Sequence, residues 1–221
     1  MELMDKEREA RKMVCLPLDG LATLSDAEAR VQELSPVVGL YKVGKESFTR
    51  FGPDVVRMVQ AHGANVFLDL KYHDIPNTVK GAANAATQLG VYMFNVHAAG
   101  GSEMMHAALE GAQEGAETYG VSMPKVIAVT VLTSIDGTIL NEELRVPGEV
   151  RDQVLHFAQL TKESGLDGVV CSAADLSWIT DSLPSGFMYA TPGVKGPNTP
   201  PGADQKRVAT PGNAVQDGSS I

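Results

Sequence analysis

From Met13 onward, short β-branched and apolar runs alternate with longer stretches whose apolar residues recur at helical spacing. That alternation is the mark of repeated βα units around a parallel sheet. The runs that read as strands are VCLPL (14–18), VGLYKV (38–43), NVFLDL (65–70), YMFNV (92–96), KVIAVTVL (125–132), GVVCS (168–172) and FMYAT (187–191). Among the helices between them, one is expected to be capped by Ser25, with Glu28 at the right offset to close a capping box. Another opens at Pro53 and stops at Gly63, and others fall near 76–89, 102–119, 149–164 and 173–182. Polar residues gather at the C-terminal ends of the strands: Asp19, Lys42, Asp69, Lys71, His97, Thr130 and Ser134. A ring of this kind suits an α/β fold of the (β/α)8 TIM-barrel type, whereas a doubly wound sheet concentrates its chemistry at one switch point. An eighth strand would only be starting at GSSI (218–221), so the expected domain is a barrel over 13–221, truncated in strand eight and preceded by a leader or short helix at 1–12.

Composition narrows the partners. The 43% apolar content is ample for one large core, while a formal net charge of -9 opposes binding to nucleic acid. No apolar run approaches the roughly 20 residues that cross a bilayer. The first 13 residues mix acids with bases and have no apolar stretch of a secretory signal. Cys15 and Cys171, each in an apolar run, read as reduced thiols, which points to the cytoplasm.

The segment LDLKYHDIPNT (68–78) carries the most chemistry. Asp69 and Lys71 are two apart on a strand and so face the same side, Lys42 ends the neighbouring strand, and Asp74 follows in the loop. A stabilising ion-pair ladder is one use of such charges, but buried ion pairs return little stability for their desolvation, which favours function. No His, Cys and carboxylate cluster has the spacing of metal ligands. His97, ending a strand beside Gly100 and Gly101, is read as a structural hydrogen-bonding residue rather than a base.

With Asp69, Lys71, Asp74 and Ile75 in an Asp-x-Lys-x-x-Asp-Ile pattern, the sequence resembles the orotidine 5'-phosphate decarboxylase family. YKVG (41–44), NVHAAGG (95–101), AVTVLTS (128–134), SGLDGVVCS (164–172), TPGV (191–194) and DQKRVATP (204–211) extend the resemblance to the end of the chain. It implies cofactor-free decarboxylation of orotidine 5'-monophosphate to uridine 5'-monophosphate in pyrimidine biosynthesis. The implied catalytic residues are Lys42, Asp69, Lys71 and Asp74, the last supplied across a homodimer with shared active sites. The implied substrate-binding residues are Asp19, Ile75, Thr78, Thr130, Ser134, Pro192 and Gln205. In this scheme Lys71 stabilises a carbanion at C6 and then protonates it. The Gly- and Pro-rich stretch 191–205 is the expected lid.

The chain departs from the family pattern at Lys195, where arginine is usual, and in lacking the Gly-Arg phosphate turn that follows strand eight. Two alternatives remain: a magnesium-dependent sugar-phosphate lyase of the same suprafamily, and a non-catalytic barrel that binds nucleotide phosphate.

Overall fold

The computed structural model describes residues 2–196 and 209–221. Seven parallel strands pair strictly in chain order. They are β1 (Cys15–Pro17), β2 (Leu40–Gly44), β3 (Asn65–Tyr72), β4 (Met93–His97), β5 (Lys125–Val129), β6 (Gly168–Val170) and β7 (Met188–Ala190). All lie within the runs expected from the sequence or overlap them by most of their length. The result is the open, curled sheet of an incomplete (β/α)8 barrel, with no pairing of β7 to β1 among the described residues. Ser219–Ile221 run beside β7: the N–H groups of Ser220 and Ile221 donate to the Tyr189 carbonyl at 2.9 and 3.2 Å, and Thr191 N–H donates to the Ile221 carbonyl at 2.9 Å.

Strand alternation divides the core in two. Leu40, Phe67, Met93, Ile127, Val129, Val170 and Ala190 fill the concave side of the sheet. The residues alternating with them, including Tyr41, Val43, Val66, Leu68, Phe94, Val126 and Ala128, pack outward against the helices. The helices are α1 (Glu2–Met13), α2 (Leu24–Leu34), α3 (Lys45–Phe51), α4 (Asp54–Ala61), α5 (Pro76–Gln88), α6 (Gly101–Tyr119), α7 (Val150–Glu163), α8 (Leu176–Ile179) and α9 (Pro211–Gln216). The helices α5 and α6 approach closely because Gly111 presents no side chain; a Cβ there would lie 2.2 Å from the Lys80 carbonyl oxygen.

Helix α2 begins earlier than its sequence suggests. The spacing of a capping box occurs twice, in Thr23–Asp26 and in Ser25–Glu28, and the structure uses the first: Asp26 N–H donates to Thr23 Oγ1 at 3.1 Å and Thr23 N–H to Asp26 Oδ2 at 3.0 Å. Ser25 lies inside the first turn, and Glu28 reaches His62 Nε2 at 3.1 Å instead. The expected helix at 173–182 is a 3-10 turn, the four-residue α8 and a second 3-10 turn in succession. Helices α3 and α9 were not anticipated; seven and six residues are too few for a helical period to stand out.

At the N-terminal ends of the strands, α1 closes on the sheet through Arg11, whose carbonyl accepts from Gly39 N–H at 3.1 Å and whose Nε donates to the Val38 carbonyl at 3.3 Å. Lys125 and Asp167 pair at 2.7 Å at that same end. The opposite, C-terminal end carries Lys42, Asp69 and Lys71.

Candidate active site

Asp69 is the hub. Its carboxylate is buried, with 7% of the residue exposed, and it gathers donors from three strands. Lys71 Nζ meets Oδ1 at 2.5 Å, Asn95 Nδ2 donates to the same oxygen at 2.7 Å, and Lys42 Nζ approaches Oδ2 at 3.4 Å. Lys42 also donates to Asp19 Oδ2 at 2.7 Å. The register explains the reach from β2: Lys42 pairs with Phe67 and Gly44 with Asp69, so the lysine stem rises one dipeptide to meet the carboxylate. Gly44 keeps that space open, since a Cβ there would sit 2.7 Å from Asp19 Oδ1 and 2.9 Å from Lys42 Nζ.

Lys71 is held unusually. The β3–β4 pairing runs from Leu68↔Phe94 to Tyr72↔Val96, so three residues of β3 face one of β4 across a bulge. Lys71 lies in this bulge with φ 51°, a left-handed conformation that a lysine rarely adopts. Its N–H donates to Asn95 Oδ1 at 2.8 Å.

The electrostatics follow from this packing. Burial works against the Lys42 ammonium, but the hydrogen bond to Asp19 and the charges of Asp69 and Asp19 outweigh it, and the Lys42 pKa is raised. Below the array, burial pushes the Cys15 thiol up to about 12, so it is inert as a nucleophile. His97, at the end of β4, is lowered to about 4 by burial first, and then by electrostatic interaction with His73, Lys45 and Lys71. The His73 and His97 rings lie 5.4 Å apart. At physiological pH this imidazole beside the array is neutral.

Of the residues expected at the site, Lys42, Asp69, Lys71 and Asp19 form one connected set. Asp74, Ile75 and Thr78 are exposed on the same chain, with Ile75 at 67%, and among the described residues Asp74 forms no ion pair with the other charges. The Asp74 carboxylate accepts from Ile75 N–H at 2.7 Å. Ser134 and Pro192 are exposed beyond the C-terminal ends of β5 and β7. Thr130 is buried, and both its hydroxyl and its N–H donate to the Val170 carbonyl, at 3.0 and 3.1 Å. Gln205 and most of the expected lid lie outside the described residues.

Asn95 and Gly44 were missed as individual residues. A signal for Asn95 was present: in MFNVH it is a polar side chain alternating with Met93 and His97, hence facing the same interior as Asp69. Among the described residues no group of three or more His, Cys, Asp or Glu could hold a metal ion. In place of metal ligands, the Asp69 oxygens are taken up by two ammonium groups and an amide.

This arrangement can stabilise negative charge developing beside Lys71 and deliver a proton to it. The profile of the Orotidine 5'-phosphate decarboxylase / HUMPS family matches residues 12–221. The orotidine 5'-phosphate decarboxylase of Moorella thermoacetica is 46% identical over 211 residues, spanning 96% of this chain and 83% of that protein. The Vibrio cholerae enzyme of the same name is also 46% identical, over 96% of this chain and 87% of its own. The crystal structure of orotidine 5'-phosphate decarboxylase from Lactobacillus acidophilus superposes with a TM-score of 0.82 at 37% identity, covering 95% of this chain and 88% of that one. By sequence along nearly its whole length and by fold, the chain belongs to the orotidine 5'-phosphate decarboxylase family.

Proposed function

We propose that the charged array at the mouth of the sheet decarboxylates orotidine 5'-monophosphate to uridine 5'-monophosphate, a step of pyrimidine biosynthesis, with no resident metal. The observation that carries this is the buried Asp69 carboxylate clasped between Lys42 and Lys71. The C6–carboxylate bond breaks, CO2 leaves, and the electron pair stays on C6. The Lys71 ammonium faces that charge, transfers its proton to C6 and recovers a proton from solvent. Asp69 lies against the substrate carboxylate, and Lys42 holds Asp69 in place. A unit charge pair at about 4 Å and effective dielectric near 20 is worth about 4 kcal/mol, against the roughly 8 to 23 kcal/mol by which enzymes lower barriers. Binding energy from the phosphate supplies the remainder in this scheme.

Asp74 and Thr78 act in the active site of a second copy of the chain. Their exposure, the absence of an ion pair between Asp74 and the array among the described residues, and the exposed Ile75 beside them support a homodimer with shared sites. Asp19 and Thr78 bind ribose hydroxyls. Ser134 binds the pyrimidine, and Gln205 spans pyrimidine and phosphate. Thr130 and Pro192 line the pocket, Thr130 through its carbonyl or methyl group because its hydroxyl is engaged. No helix of the described residues is long and apolar enough to cross a membrane. Neither Cys15 nor Cys171 is in a disulfide, and a cytoplasmic location fits.

Loss of orotidine 5'-monophosphate absorbance, followed with a chelator present, tests the function. Turnover that survives the chelator and disappears in Lys71→Ala is expected. Turnover that needs added magnesium, or none from a verified folded dimer, would overturn it.

A further inference from the structure

Asn95 sits in the middle of β4 with no exposed surface. A buried amide is tolerated only when its polar atoms find partners, and both ends of this one are spent on β3. Oδ1 accepts from Lys71 N–H at 2.8 Å, and Nδ2 donates to Asp69 Oδ1 at 2.7 Å. These bonds fall where the β3–β4 ladder is interrupted, so the side chain takes over the role that backbone pairing plays elsewhere in the sheet. Each bond ends on a residue of the charged array.

We propose that Asn95 is a positioning residue for the decarboxylation, an inference that rests on the roles given above to Asp69 and Lys71. By clamping the Asp69 carboxylate and the Lys71 backbone together, it fixes the left-handed turn that aims the Lys71 ammonium. Without the amide, Asp69 loses the donor that sets the plane of its carboxylate, and Lys71 N–H loses the acceptor that holds φ at 51°. The ammonium, tied to Asp69 at 2.5 Å, moves with it. Ground-state contacts with ribose and phosphate come from other loops and are spared, so the loss appears in the chemical step.

Asn95→Leu keeps the branching and number of side-chain heavy atoms and removes both bonds; Asn95→Asp keeps the acceptor for Lys71 N–H but sets a second carboxylate against Asp69. Both are compared with wild type and Lys71→Ala. For Asn95→Leu, kcat falls about 100-fold, the loss that a misplacement on the order of 1 Å produces, while KM and uridine 5'-monophosphate affinity stay within about threefold. Its Lys71 amide also exchanges with solvent faster than in wild type. Asn95→Asp, measured relative to wild type at each pH, regains activity as pH falls, because the protonated acid donates to Asp69 as the amide does. That recovery is the deciding measurement if Asn95→Leu does not fold, and its absence overturns the proposal. The proposal also falls if Asn95→Leu keeps kcat within about twofold, or if kcat, nucleotide affinity and melting temperature decline together as for a space-filling residue. Should wild type itself fail to turn over the nucleotide, the functional assignment fails separately; unchanged Lys71 amide exchange in Asn95→Leu would then remove the clamp as well, and faster exchange would retain it.

Discussion

Replacing Lys71 by alanine and by glycine separates the charge of this residue from its backbone. Both variants remove the ammonium 2.5 Å from Asp69 and leave the carboxylate to Lys42 and Asn95, so their side-chain losses are nearly the same. They differ in how they accept φ 51°. An L-residue pays roughly 1–2 kcal/mol to stand in the left-handed region, and glycine pays almost none. In an ordinary strand the preference is reversed, with glycine about 0.5–1 kcal/mol worse than alanine. Because the conformation at this position is fixed by Asn95, Lys71→Gly should be the more stable of the two by about 1 kcal/mol. For a chain of this size that is roughly 2–4 °C in melting temperature. Urea unfolding of the two proteins side by side measures the difference, and both should be without decarboxylase activity. If Lys71→Ala unfolds at the higher urea concentration, the left-handed turn is not a feature of the folded protein, and the account of how Lys71 is aimed fails with it.

Mixing inactive Lys71→Ala and Asp74→Ala proteins and allowing subunits to exchange should restore part of the activity, since one site of each mixed dimer has a complete set; proven exchange without recovery would refute the cross-subunit role of Asp74. His97, lowered to about 4 by burial and neighbouring positive charges, stays neutral in the folded chain while its unfolded counterpart takes a proton near 6.5. The unfolded state therefore binds more protons between those values, and stability falls as pH drops from 6.5 to 4. His97→Gln should flatten that slope in denaturant titrations across the window, and an unchanged slope would exclude the contribution. Gly44→Ala should fold but lose at least about tenfold in kcat, because its methyl displaces Asp19 and Lys42 rather than backbone; wild-type kinetics would show that the two side chains adapt freely.

What the sequence revealed was what violates a pattern. Lys42, Asp69 and Lys71 are charges in otherwise apolar strands, and parallel pairing in chain order was enough to bring β2 beside β3. Asn95 broke the same pattern more quietly, as an uncharged polar residue within a short apolar run, and its partners became evident only with the bulge opposite it. A bulge has no composition of its own: the stretch Leu68–Tyr72 reads as a regular strand, and the excess residues are visible only against β4. Thr130 was singled out for standing at the end of a strand, a position that does not reveal that its hydroxyl is bonded to Val170. The offset at Thr23 arose because two overlapping segments satisfied one spacing rule, and the helix is capped by the first of them.

The separation of the two ends of the sheet has a practical use. Arg11 with Gly39, and Lys125 with Asp167, hold the N-terminal end together without touching the charged array. Attachment chemistry, labels or surface redesign directed to that end would leave the mouth of the sheet facing solution, so an immobilised form of the protein could keep its substrate-facing side open.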